Sequence, residues 1–315
     1  MSLLKVNVVN GLPQPQSHET LDAAIARNLA QVPPRAPIIV LIHGYKFSPA
    51  TSLSDPHRHI FALRPRRGCW KALSWPKHLG FGKGHQNEGL CIALGWEARG
   101  SIWRAWRNAQ QAGDVLARVI QCVRDHRPCP VHIVAHSLGA RVALAAIPAL
   151  PAGSIGRAVL MAPAEFQSTA AAMLGTPAGQ TAEFINITSR ENDLFDTLVE
   201  WLLPAPSQGD RCLGAGLWLN AGNWLDIQMD CRRTRSEMSE LGYRTPAPTA
   251  LVCHWWAYLR PGLLRFYGDL IRDPERLNLA MLKHALPSRT RPRWSRIWEA
   301  VVTLRPNPGR RRGVL

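Results

Sequence analysis

Val131-His132-Ile133-Val134-Ala135-His136-Ser137-Leu138-Gly139-Ala140 is a β-branched run that breaks at a serine and continues in small residues. The pattern predicts a strand, a sharp turn and a helix. A serine on such a turn holds its hydroxyl clear of the sheet, and the residues two before and two after it must be small so that strand and helix can pass closely. Ala135 and Gly139 occupy those positions. The usual pattern has glycine at both, so Ala135 adds one methyl group. A plainer reading makes Ser137 only the N-cap of the following helix.

The flanking sequence repeats the same alternation. Upstream, Pro37 to Ile42 is a continuous apolar run of strand length, as expected of a strand buried on both faces, and it ends in His43-Gly44-Tyr45. A glycine there lets the next amides turn toward a ligand. Leu3 to Val9, Leu90 to Trp96, Arg157 to Met161, Glu183 to Thr188 and Trp224 to Met229 also read as strands. Between them, helical spacing marks Thr20 to Gln31, Ser101 to Asp125, the stretch after Ser137 and Ala170 to Leu174, and one further helix runs on from the aromatic segment Trp255-Trp256-Ala257-Tyr258 through Ile271. Alternating strands and helices predict an α/β fold with a mostly parallel sheet and right-handed crossovers. Two segments rich in Gly, Pro and charge, about 47–89 and 204–248, read as irregular insertions forming a cap. The first contains His57-Arg58-His59, whose spacing could chelate a metal but is better read as exposed loop histidines.

Composition bounds the class. With 315 residues, 46% of them hydrophobic and 19% charged, the chain has enough apolar side chains for a large core and too few charges for a disordered protein. Residues 1–286 read as one domain. Residues 287–315 carry eight arginines against the single acid Glu299 and read as a flexible basic tail. The net charge of +16 suggests contact between these arginines and an anionic membrane surface; no nucleic-acid motif accompanies them. Seven scattered cysteines without a C-x-x-C pair argue for free thiols in a reducing compartment. With neither a secretory signal nor a long apolar span in the sequence, the expectation is a cytoplasmic protein. Twelve tryptophans are expected mostly in the core, with a few from the insertions lining a pocket over Ser137.

A serine hydroxyl is a weak nucleophile until an imidazole takes its proton and a further group fixes the imidazole tautomer. Downstream of Ser137 the chain offers Asp193 after the next strand but one, and then His254. Asp196, Glu191 and Glu165 compete for the acid, and His284 lies further along at the edge of the tail. In this order, with its A-H-S-x-G turn and H-G-Y loop, the sequence resembles the α/β-hydrolase superfamily, and more closely bacterial serine esterase and lipase-like members. The resemblance spans roughly 37–273. It implies an α/β-hydrolase fold and a serine hydrolase that cleaves carboxylic esters through an acyl-enzyme without metal or organic cofactor. Ser137 would be the nucleophile, His254 the base and Asp193 the acid, with the Tyr45 and Leu138 amides as oxyanion donors. His43, Gly44, His136 and Gly139 would support the motif. The competing reading is a catalytically silent member of the fold that binds a lipid or another small ligand.

Overall fold

The computed structural model describes residues 3–65, 68–288 and 290–296. Eight strands form one sheet: β1 (Leu3–Val9), β2 (Leu12–Pro15), β3 (Ile38–Ile42), β4 (Leu90–Gly95), β5 (Val131–His136), β6 (Ile155–Met161), β7 (Glu183–Thr188) and β8 (Trp224–Gln228). Their order is β2-β1-β4-β3-β5-β6-β7-β8, parallel throughout except for the β1–β2 hairpin at the edge. The helices are α1 (Leu21–Leu29), α2 (Trp75–His78), α3 (Ile102–His126), α4 (Leu138–Ala146), α5 (Gln167–Leu174), α6 (Pro177–Thr181), α7 (Asp193–Leu202), α8 (Arg232–Glu240), α9 (Trp256–Leu259), α10 (Leu263–Arg272) and α11 (Leu279–Ala285). The mostly parallel sheet with flanking helices follows the alternation of strands and helices, and it is the arrangement that the resemblance to α/β-hydrolases implies. Among the described residues no helix is long and apolar enough to cross a membrane.

β3 and β4 are apolar without interruption because both of their faces are covered. In β3, Ile38, Val40 and Ile42 join a hydrophobic layer with α1, α3 and α4, while Ile39 and Leu41 point into a second layer on the opposite face. That second layer is built by α9, α10, α11 and the first insertion, which contributes Phe61, Trp75 and Phe81, all fully buried. The insertion is thus irregular in backbone yet part of the core. His57 is buried with it, donating Nε2–H to Asn7 Oδ1 (2.8 Å), while His59 Nε2 meets Cys69 Sγ (3.2 Å). The reading of His57 as an exposed loop residue therefore fails, and the two rings have separate partners. All seven cysteines are free. Trp75 and Trp96 are core residues, whereas Trp70, Trp103, Trp201, Trp218 and Trp294 are exposed.

Three further departures from the sequence reading have simple causes. The helix expected to run on from Trp255 through Ile271 is two helices, because Pro261 and Gly262, the latter at φ 88°, end α9 before α10 begins. The second insertion contains α8, whose buried face is only Thr234 and Met238. The supposed flexible tail starts as a packed strap: Arg293 is 3% exposed and bridges Asp193, Asp196 and Glu200, at 3.6, 3.8 and 2.6 Å. The remainder of that tail, residues 297–315, lies outside the described residues.

Candidate active site

Ser137 stands between β5 and α4 with φ 56° and ψ −125°. A non-glycine residue rarely adopts a positive φ, so the surroundings must enforce it. They do so through the backbone: Ser137 N–H donates to Met161 O (3.0 Å), and Ser137 O accepts from Ala140 N (2.9 Å) and Ala164 N (3.1 Å). The N-cap reading is excluded by the same geometry. Thr20 and Ser101 accept from the amides of Ala23 and Arg104 at the starts of α1 and α3, but the Ser137 side chain makes no such bond. Its hydroxyl is committed elsewhere.

Two glycines let the backbone close around it. A Cβ built on Gly44 would lie 2.7 Å from Ser137 Cβ and 2.9 Å from His136 O, so the His43-Gly44-Tyr45 loop passes in direct contact with the serine turn. A Cβ on Gly139 would lie 2.6 Å from Ile42 O, which is why α4 can begin tight against the end of β3. The loop is pinned from below by His43. That ring accepts from Trp96 N at Nε2 (3.1 Å), pairs through Nδ1 with Gly44 O (2.9 Å) and stacks on Trp96. An acceptor at Nε2 leaves the proton on Nδ1, and burial keeps the ring neutral, its pKa lowered to about 3. From above, Tyr45 Oη donates to Gly100 O (2.6 Å). The backbone N–H groups of Tyr45 and Leu138 have no acceptor among the described residues.

His254 Nε2 lies 2.8 Å from Ser137 Oγ, and its Nδ1 lies 2.6 Å from Asn192 Oδ1. Its backbone is fixed by His136, whose Nε2–H donates to His254 O (3.0 Å), and by its neighbour Cys253, whose N–H donates to Glu191 O (2.9 Å). Glu191 in turn is held by an ion pair with Arg260. Burial, reinforced by His136 and Lys71, pushes the His254 pKa well below its ordinary value of 6.5, so the imidazole is neutral near pH 7 and Nε2 is free to accept the serine proton.

The partner of His254 is therefore an amide and not the expected acid. Asp193 is the residue after Asn192, but its carboxylate accepts from Ser295 N and Ser295 Oγ (both 2.6 Å) and faces Arg293. Being at the first position of α7, it turns away from the imidazole toward the C-terminal strap. Glu165 is also elsewhere, buried against Arg141 (2.5 Å), Phe166 N and Thr169 Oγ1. Asp196, the third competitor, reaches the site indirectly. Its Oδ1 accepts from Asn192 Nδ2 (2.8 Å) and from Cys212 Sγ (3.3 Å), and burial raises its pKa to about 7. The bond to Asp196 decides which way the Asn192 amide faces. Flipping it would set Oδ1 against a carboxylate oxygen, and the bond to Asp196 therefore assigns Oδ1 to the His254 side and the proton to Nδ1. A search by residue type for a carboxylate could not find Asn192; its only sequence mark is an acid four residues on, one helical turn away at Asp196.

Over residues 39–309 the sequence matches a family model described as the alpha/beta hydrolase family. No curated protein matches the chain. Among solved structures, the lipase BlEst2 of Bacillus licheniformis in its mature form is similar at 11% identity and a TM-score of 0.36, over 62% of this chain and 85% of that one. Its propeptide form is similar at 10% identity and a TM-score of 0.36, over 83% of this chain and 53% of that one.

Proposed function

The chain belongs to the alpha/beta hydrolase family, and from that premise we propose that it is a serine hydrolase cleaving carboxylic esters through an acyl-enzyme. The observation that carries this reading is the continuous chain of contacts from Ser137 Oγ to His254 Nε2, from His254 Nδ1 to Asn192 Oδ1, and from Asn192 Nδ2 to Asp196. Ser137 Oγ attacks the ester carbonyl carbon as His254 Nε2 takes its proton. The tetrahedral oxyanion is held by the N–H groups of Tyr45 and Leu138, the two amides beside the serine that lack acceptors among the described residues. His254 then delivers the proton to the departing alcohol oxygen, and a water activated by the same nitrogen releases the acid.

Asn192 orients the imidazole but brings no charge to it. Its role is to hold the tautomer that leaves Nε2 unprotonated, and Asp196 acts one bond further back by fixing the amide. The silent-fold reading would require His254 to stand apart from the serine, and the 2.8 Å contact counts against it. A panel of nitrophenyl esters of increasing acyl length, assayed on the native protein and on Ser137→Ala, tests the proposal. We expect turnover by the native protein and loss of at least about a thousandfold in the variant. Equal rates in both would refute it.

A further inference from the structure

The face of α7 that turns away from the sheet is apolar and, among the described residues, uncovered. Leu194, Leu198, Trp201 and Leu202 recur at helical spacing and stand exposed, Trp201 at 75%. Across a groove of about 500 Å³ Leu194, Leu198 and Trp201 face Leu251, Val252 and Trp294, of which Leu251 is 81% exposed. Trp103 joins the patch at the end of α7 by donating Nε1–H to Leu202 O (2.7 Å). Apolar side chains concentrated in this way mark an interaction surface, whereas scattered ones need no explanation. The surface also adjoins the candidate site. Asn192 immediately precedes α7, His254 follows Val252 by two residues, and Phe195 packs on the His254 ring at 4.6 Å between centroids.

Charge and openness identify the occupant. Asp193, Asp196 and Glu200 are paired with Arg293, Glu200 also with Arg296 and Arg211, and Asp230 with Arg190. Arg107, one helical turn along α3 from Trp103, is exposed and forms no ion pair among the described residues. The sequence runs on from the strap with Arg305, Arg310, Arg311 and Arg312 against Glu299, within a chain of net charge +16. A second copy of the chain would bring like charge against like charge. A small-molecule site would enclose most of its ligand, but these side chains lie open to solvent. Exposed Trp and Leu beside cations, with the nearby acids already paired, suit the headgroup and upper acyl region of an anionic bilayer.

We propose that the outer face of α7, together with Leu251, Val252 and Trp294, docks on anionic lipid membrane and so places the mouth of the Ser137 site against the bilayer. The test is co-sedimentation with vesicles of phosphatidylcholine alone and of phosphatidylcholine with phosphatidylserine, for the native protein and for the double variant Trp201→Ser/Leu251→Ser. Both substitutions are at exposed positions, and an unchanged melting temperature confirms an intact fold. The native protein is expected to bind the phosphatidylserine vesicles, less so at high salt, and the double variant to bind about tenfold more weakly. Native protein that stays in the supernatant overturns the proposal. So does a double variant that binds as well as the native protein, which assigns the attraction to the arginines alone. Self-association that vanishes in the double variant, without vesicle binding, assigns the surface to a second copy and also overturns it.

Discussion

Asn192 is the residue on which the chemistry of the site turns. In Ser-His-Asp sites the carboxylate both fixes the tautomer and stabilises the imidazolium, and replacing it with an amide fails when the amide donates to the imidazole. Here Asp196 takes the amide N–H, so Oδ1 faces His254 and the tautomer is correct, but no charge offsets the imidazolium. The His254 pKa, already lowered by burial, therefore has no carboxylate at Nδ1 to raise it. On the proposed mechanism the base must be unprotonated, so kcat/KM is expected to hold its plateau through pH 6.5 and to fall only at lower pH. Asn192→Asp sets a carboxylate on Nδ1–H, favours the imidazolium and moves that acid limb to higher pH. Asn192→Ala releases the ring and lowers kcat on the order of a hundred- to ten-thousandfold. An acid limb unmoved in Asn192→Asp would show that residue 192 does not act on the base.

At the scale of elements, α7 and the strap that crosses it form one electrostatic unit. Arg293 is the shared cation of three buried carboxylates, while Ser295 occupies Asp193 and Arg296 reaches Glu200 (2.6 Å). Removing one member of a buried cluster leaves charge without a counterion, so Arg293→Ala is expected to destabilise the protein by about 3–5 kcal/mol, read as a lower midpoint in urea. An unchanged midpoint would mean that the strap is ornamental. The strap also explains why the carboxylate of Asp193, expected at the imidazole, is absent from it. From the sequence, Asp193 sits in the right loop after the right strand; the return of the chain at Arg293 and Ser295 holds its carboxylate away from the imidazole. The elements themselves were legible wherever burial on both faces makes a strand uniformly apolar, as in β3 and β4. They were hidden where that signal is weak. β2 is an edge strand of sequence Leu-Pro-Gln-Pro, and α8 is polar apart from its two buried positions.

Across the whole molecule, the sheet and its two covered faces place the serine turn, the His43-Gly44-Tyr45 loop and the loops carrying Asn192 and His254 together, beyond the carboxyl ends of β3, β5 and β7. That convergence was readable in the sequence as an order of motifs, because parallel strands deliver their following loops to one edge. What the sequence withheld were partners separated by long stretches of chain, such as Ser295 with Asp193. The buried cluster also sets a global pH dependence. With an unfolded pKa of 3.8 and a folded value of about 7, Asp196 holds its proton more tightly in the native state. It therefore adds to the fall in stability as pH rises from 3.8 to about 7. Asp196→Asn removes this titration, so the difference in melting temperature between native and variant protein should change in the variant's favour across that window; a constant difference would contradict it.

The proposed activation of Ser137 by His254 makes the serine open to covalent capture. A fluorophosphonate probe should label the purified protein once per chain, with the adduct located on Ser137 by mass spectrometry of the digest and absent from Ser137→Ala. A native protein that takes up no probe, or equal labelling of the variant, would contradict the account.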